Sequence, residues 1–276
     1  MEPSGELQRS RHLPDMDRLS VLAAIISMAY ILTRFVSFQD REFSAQLPGF
    51  YFSFLLDIHT VVAVLVAGLT AVGTDWLLHD HPARKGRRTL PFIILPGLTA
   101  LVIGLPLNQL PYGISWWLGL LAGSSLLVLV WIGEYISIDS QDYLQPLAAA
   151  ALTAVSFALY LVLVASLRSA GWRLFLFFPA LTFGAVLVSL RSLHLRLQGD
   201  WLVYESLIIA FIVGQVSTPL YYWPLSPVSF GLLVLGLTYA LNSLMIGLIE
   251  ERPARQLLIE PILALVVVIG AAYWAR

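Results

Sequence analysis

Residues 53–68, SFLLDIHTVVAVLVAG, place an acid and an imidazole inside an otherwise apolar stretch. Asp57 and His59 could there move a proton or bind a polar solute. Ionisable side chains inside a membrane span are costly, and they usually face the interior of the helix bundle and mark a pathway or a site. The candidate intramembrane polar site comprises Arg34, Asp57, His59, Gln215 and Asn242.

Two interpretations of this set remain open. Asp57 could pair with Arg34 across a helical hairpin, because an unpaired buried charge costs far more than a paired one. It could instead belong to a functional site that faces outward. A span over 50–74 puts His59 near the bilayer midplane, where it would either bond a neighbouring helix or line a polar cavity.

A second set of acids is predicted near the cytoplasmic face. Glu134 lies at the end of one apolar segment, and Glu205 and Glu260 lie near the starts of two others. Acids at helix N-termini are favoured by the helix dipole, and acid–arginine pairs could clamp the bundle. The alternative is a polar cavity on that side. The arginines available as partners are Arg191, Arg196, Arg252 and Arg255.

The remaining residue patterns indicate no catalytic residues, no metal site and no cofactor. Cysteine is absent, which excludes thiolate ligands and a cysteine nucleophile. Asp75 and His79 have i, i+4 spacing, but nothing nearby completes a metal site. The net charge of −1 gives no basic footprint for nucleic acid.

The composition indicates that these residues belong to a membrane protein. Of the 276 residues, 58% are hydrophobic and 12% are charged, against about 25% charged in soluble domains. Mean hydropathy is +0.81, and a bilayer core needs roughly 20 apolar residues per helix. We therefore predict an all-α integral membrane protein with about nine transmembrane helices. Residues 1–18 form a polar tail, residues 19–276 form one transmembrane domain, and the first apolar run is expected to stay uncleaved. The predicted spans are 19–38, 50–74, 90–110, 114–135, 146–168, 172–193, 201–223, 227–249 and 256–275.

Two independent signals predict the orientation. With the N-terminus cytoplasmic and the C-terminus outside, eleven of the sixteen basic residues lie on the cytoplasmic side. All eight tryptophans fall near span ends, as an aromatic belt requires. The preference for arginine over lysine indicates a bacterial genome, so we expect a bacterial cytoplasmic membrane.

The sequence narrows the function only to classes. The third, sixth and ninth spans each carry an early proline (Pro96, Pro179 and Pro261), which is either a three-helix repeat of the kind transporters use or chance similarity. The repeat favours a transporter or permease for a small or lipid-like solute. The alternatives are a non-catalytic accessory or assembly subunit and, third, a membrane enzyme acting on a lipid-linked substrate. The expected partners are the lipid bilayer, a small-molecule or lipid-like ligand and other membrane proteins.

Overall fold

The structure is a helical bundle with one short β-hairpin. It is a computed structural model that describes residues 14–35, 41–47, 50–56, 58–79, 90–139, 142–197 and 201–275. Within these ranges, nine helices are long and apolar enough to cross a membrane, as the helices of an integral membrane protein are. These helices are α1 (Met16–Phe35), α2 (Ile58–Leu78), α3 (Leu90–Gln109), α4 (Ile114–Ser137), α5 (Gln145–Ser169), α6 (Leu174–Leu197), α7 (Val203–Tyr221), α8 (Pro227–Ile249) and α9 (Ala254–Trp274).

The hairpin changes where the second helix begins. Strands β1 (Arg41–Leu47) and β2 (Phe50–Leu56) pair antiparallel. The predicted span 50–74 is therefore wrong at its start, whereas the other spans agree with their helices to within four residues. The reason is that FYFSFLL is both apolar and rich in aromatic residues, so hydropathy alone cannot separate a strand there from a helix.

Consecutive helices run in opposite directions; on α2 and α3, for example, Gly97 lies beside Ala71 and Gly104 lies beside Ala63. Arg18, at the start of α1, donates from Nη1 to the carbonyl oxygen of Trp76, at the end of α2, at 3.3 Å. The last turns of α3 and α5 meet at the other end of the bundle. We call the end at which α1 begins the Met16 end, and the opposite end, where α1 finishes, the Phe35 end.

Helix α3 is the centre of the bundle. One cluster of buried side chains joins α1, α2, α3 and α4, and a second joins α3 and α4 to α5, α6, α7 and α8. In the apolar stretch of α3, 61% of the residues are buried, compared with 11% of those in the apolar stretch of α9. A helix that is apolar on all sides belongs in a core, and α3 meets this condition between Leu90 and Leu107. Helix α9 packs on α8 and exposes most of its surface.

Buried polar groups in the first cluster are paired. The indole nitrogen of Trp131 donates to Thr74 Oγ1 at 2.8 Å, and the hydroxyl of Tyr30 donates to the carbonyl oxygen of Ala100. Inside a membrane these groups have no water to bond, so such pairs join helices that apolar contact alone would not specify.

Candidate functional site

The predicted intramembrane polar site is not seen as one cluster. Asp57 lies outside the described residues, so its pairing with Arg34 stays a prediction. Arg34 is exposed in the last turn of α1, and its guanidinium carbon lies 5.7 Å from the centre of the Tyr112 ring. The described contact of Arg34 is thus a cation–π interaction at the Phe35 end.

The position of His59 along the membrane normal differs from the prediction. Helix α2 begins at Ile58, so the backbone of His59 lies in its first turn, next to the Phe35 end. The midplane position assumed a helix from residue 50, whereas α2 begins eight residues later, which is about 12 Å along a helix axis at 1.5 Å per residue.

Gln215 and Asn242 also lie apart. Gln215 is exposed on the half of α7 nearer the Phe35 end, whereas Asn242 is buried in the half of α8 nearer the Met16 end. A path lined by both is therefore not seen. Asn242 borders a cavity.

Asn242 is held in one orientation. Its Nδ2 donates to Ser189 Oγ at 2.9 Å and to the carbonyl oxygen of Thr238 at 2.8 Å. A carbonyl only accepts, so the nitrogen must face Thr238 and the oxygen must point the other way. Asn242 is 1% exposed, and no donor from the described part of the chain reaches its Oδ1.

Glu134 and Arg191 form a buried ion pair. Arg191 Nε donates to Glu134 Oε1 at 3.1 Å and Nη2 donates to Oε2, a two-point contact between α4 and α6. Ser137 Oγ donates to Glu134 Oε2 at 3.4 Å, and the guanidinium carbon lies 5.2 Å from the centre of the Phe92 ring. The crevice beside Arg191 has no volume for a water. This geometry fits a clamp between helices, since both charged side chains are almost fully buried.

The two other acids of the predicted layer sit in different surroundings. Glu205 is half-buried in the first turn of α7, where the helix dipole favours it. Glu260 lies beyond the first turn of α9, accepts a hydrogen bond from Tyr239 Oη at 2.9 Å, and lies 3.7 Å from Arg252 Nη1. Arg252 also bonds Glu250, with 2.7 Å between Nε and Oε2. The three acids share the Met16 half of the bundle but form no common site.

Glu260 lies at one end of a groove between α5, α8 and α9. The groove has a volume of about 330 Å³ and opens where α9 is exposed. Gly236 lets α8 and α9 approach closely, because a Cβ atom at this position would lie 2.7 Å from Val268 Cγ1. Apart from Tyr239 and Glu260 its lining is apolar: Phe157, Leu235, Gly236, Leu263, Ala264, Val267 and Val268.

A small polar cavity continues the groove toward the Met16 end. Its volume is about 30 Å³, room for one water-sized group. It shares Phe157, Tyr239 and Glu260 with the groove, and it adds α6 to the surrounding helices. The remaining lining residues are Thr153, Ser192, Arg196, Asn242, Ser243 and Ile246.

The sequence singles out Asn242, Glu260 and Arg196, but it does not single out the other residues that line the groove and the small cavity. A signal for them exists: Tyr239, Asn242 and Ser243 have i, i+3, i+4 spacing on α8, which places three polar side chains on one face of an apolar helix. Phe157 carries no such signal. It reaches the site because its ring packs edge-on against Tyr239, with 5.4 Å between centroids.

Residues 38–275 match the model of a family described as "Protein of unknown function (DUF5656)", a range that includes helices α2 to α9. No curated protein and no solved structure matches the chain.

Proposed function

We propose that this chain, which belongs to the DUF5656 family, binds a lipid-like amphiphile in the groove between α5, α8 and α9 and transports it. The groove is the observation that carries the proposal. Its apolar length suits a hydrocarbon chain, and its polar end suits a head group. We include transport because the possible three-helix repeat in the sequence favours a transporter or permease.

The dimensions of the groove support a ligand over simple loose packing. A volume of about 330 Å³ falls within the range of about 300–1,000 Å³ typical of ligand sites, which are mostly apolar with a few convergent polar groups. The open side of the groove is bordered by Leu263 and Val267, both exposed on α9. In a bilayer this side faces lipid tails, so a chain can enter sideways without crossing a polar layer.

The orientation of the chain in the membrane determines on which side the polar end of the groove lies. We assign the Met16 end to the cytoplasmic side of a bacterial membrane, from the basic residues and the tryptophans. The head group then lies in the cytoplasmic leaflet. Reporter fusions after Gln46 and Pro224 should report outside, and fusions after Lys85 and Arg252 inside. A cytoplasmic signal from Pro224 contradicts this orientation.

The binding test fills the groove while sparing the helix. Ala264 is half-buried in the lining, and Ala271 is exposed on the same helix outside it. The variants Ala264→Trp and Ala271→Trp are made in the full chain and placed in lipid nanodiscs that contain a photoactivatable single-chain lipid. We expect Ala264→Trp to lose most of the covalent labelling on α8 and α9 and Ala271→Trp to keep it. Equal labelling of both variants contradicts the proposal.

One observation favours the second candidate, an accessory subunit. The buried Glu134–Arg191 pair joins α4 and α6, which supports a structural role for at least part of the predicted layer of acids. An accessory subunit would contact its partner through the exposed face of α9. In that case Ala271→Trp, and not Ala264→Trp, should shift the size of the native complex on a blue native gel.

A further inference from the structure

One hydrogen bond lies where the groove meets the small polar cavity. Tyr239 Oη on α8 donates to Glu260 Oε1 on α9 at 2.9 Å, and both residues line the groove as well as the cavity. The bond thus crosses from one helix to the other at the junction of the two spaces. A ligand whose hydrocarbon chain fills the groove must place its first polar group beside this bond, because the other groove residues are apolar.

The two side chains at this junction offer a ligand only hydrogen-bond acceptors. A tyrosine hydroxyl has one proton, and Tyr239 donates it to Glu260, so its oxygen is left with lone pairs alone. An ionised carboxylate has no proton to donate and can accept about four hydrogen bonds. A phosphate or an ester carbonyl placed directly after the chain would therefore find no donor on these two side chains, whereas an amine would be bonded.

The junction also keeps a negative charge. Arg252 Nη1 lies 3.7 Å from Glu260 Oε2, but the same guanidinium binds Glu250 at 2.5 Å. One positive charge is thus shared by two carboxylates, which leaves the group of three negative. Hydrogen bonds between two ionised groups are stronger than neutral ones. The junction therefore favours a protonated amine over a neutral hydroxyl as the first polar group of the ligand.

A second cation lies beyond the junction. Arg196, in the last turn of α6, lines the small cavity together with Glu260, is exposed, and forms no ion pair with any residue that the structure describes. The cavity that the two residues line has a volume of about 30 Å³, the size of one water. Substituents on neighbouring carbon atoms of one ligand can reach both residues across so small a space. Guanidinium groups bind phosphate through paired N–H donors.

We propose that the ligand of the groove is an amphiphile that carries a primary amine where its chain ends and a phosphate on the next carbon atom. The amine lies beside Glu260 and Tyr239, and the phosphate, too large for the cavity, lies at its exposed rim beside Arg196. The order along the ligand, chain, amine and phosphate, then follows the order along the site. This inference rests on the proposed function, since it requires the chain to occupy the groove.

Three probes with the same hydrocarbon chain test the two polar groups separately. They are 2-aminohexadecyl phosphate, hexadecyl phosphate, which lacks the amine, and 2-aminohexadecane, which lacks the phosphate. The full-length protein in detergent micelles is equilibrated with each probe at the same concentration, and the bound probe is measured by native mass spectrometry. We expect 2-aminohexadecyl phosphate to bind about tenfold more tightly than either of the others, the factor that one charge-assisted hydrogen bond supplies.

Two variants assign the polar groups to their residues. Glu260→Gln keeps an acceptor for Tyr239 and should remove the preference over hexadecyl phosphate. Arg196→Gln should remove the preference over 2-aminohexadecane. The matched controls are Glu205→Gln, at a half-buried glutamate of α7, and Arg173→Gln, at an exposed arginine just before α6 at the Phe35 end. Neither control residue lines the groove or the cavity, so both preferences should be unchanged.

The outcomes separate this inference from the proposed function. Equal binding of the three probes, all lost in Ala264→Trp, overturns the head-group inference and keeps the groove. Binding that is the same in Ala264→Trp as in the natural chain overturns both. Preferences that survive Glu260→Gln and Arg196→Gln overturn the assignment to these residues, and equal binding of 2-hydroxyhexadecyl phosphate overturns the amine. Circular dichroism checks that each variant is folded, and if one is not, the comparison of probes in the natural chain decides alone.

Discussion

Glu134 and Glu260 are both glutamates in the Met16 half of the bundle, and both lie near an arginine. Glu134 is 0% exposed and bonds Arg191 at two points, whereas Glu260 is 39% exposed, bonds a tyrosine, and lies 3.7 Å from an arginine that a second acid also binds. Burial decides what each can do. A sealed pair holds two helices together, and an open carboxylate beside a cavity can exchange partners.

The comparison shows why residue type alone does not mark a site in a membrane. The attraction between two charges grows as water is excluded, but so does the cost of leaving one of them alone. Glu134 and Arg191 therefore stay paired with each other. Glu260 remains partly solvated or faces lipid head groups, so its interactions are weaker and replaceable.

The largest effect is expected at the buried pair. Glu134→Ala leaves the Arg191 guanidinium buried between α4 and α6 without its counter-charge, and breaking such a pair typically costs about 3–5 kcal/mol. The free energy of unfolding, measured by denaturant titration in mixed micelles, should fall by this amount or the protein should fail to fold.

A double variant tests whether the pair does anything beyond joining helices. Glu134→Leu with Arg191→Met replaces both charges by apolar side chains of similar size, which is often neutral or stabilising. We expect stability near that of the natural chain and unchanged covalent labelling of α8 and α9 by the photoactivatable lipid. Loss of lipid binding in this stable double variant would contradict the division between a structural pair and a functional groove.

An intermediate effect is expected at a buried but neutral hydrogen bond. Thr74→Val keeps the shape of the side chain and removes the oxygen that accepts from Trp131 Nε1. An unsatisfied buried donor costs about 1–3 kcal/mol, so the free energy of unfolding should fall less than for Glu134→Ala. A loss as large as that of Glu134→Ala would show that charge is not what distinguishes the buried pair.

The smallest effect on stability is expected at the open carboxylate. Glu260→Gln keeps the acceptor for Tyr239 and removes a charge that is already well exposed, where ion pairs are worth about 0–1 kcal/mol. The same titration should show a change within this range. A loss above about 2 kcal/mol would make Glu260 a structural residue and would remove the contrast with Glu134.

The bundle could be predicted from sequence because a helix in lipid must be long, apolar and internally hydrogen-bonded. Eight of nine span predictions agree with the helices for this reason. The start of α2 could not be found the same way, because residues 50–56 are apolar and also suit a strand. That one boundary moved His59 from the predicted midplane to the first turn of α2.

The site was less accessible to sequence reasoning than the fold. Asn242 and Glu260 stand out as polar residues in apolar helices. The side chains that complete the groove and the small polar cavity around them include Phe157 on α5, Tyr239 on α8 and Ser192 on α6. Which helices pack against each other is a property of the tertiary structure, and it cannot be predicted from the sequence of a single span. Depth along the membrane normal pairs residues only when the helices that carry them touch, as α4 and α6 do at Glu134 and Arg191.

The placement of α9 on α8 bears on the order in which the protein is made. Contacts between helices that follow one another along the chain need little loop closure and form early, and membrane chains are synthesised from the N-terminus onward. The core shared by α3 to α8 can therefore be complete before Ala254 leaves the ribosome, since no buried residue of that core comes from α9. The groove is then completed last, when α9 docks on α8, so a nascent chain already folded around α3 has no groove until its synthesis ends.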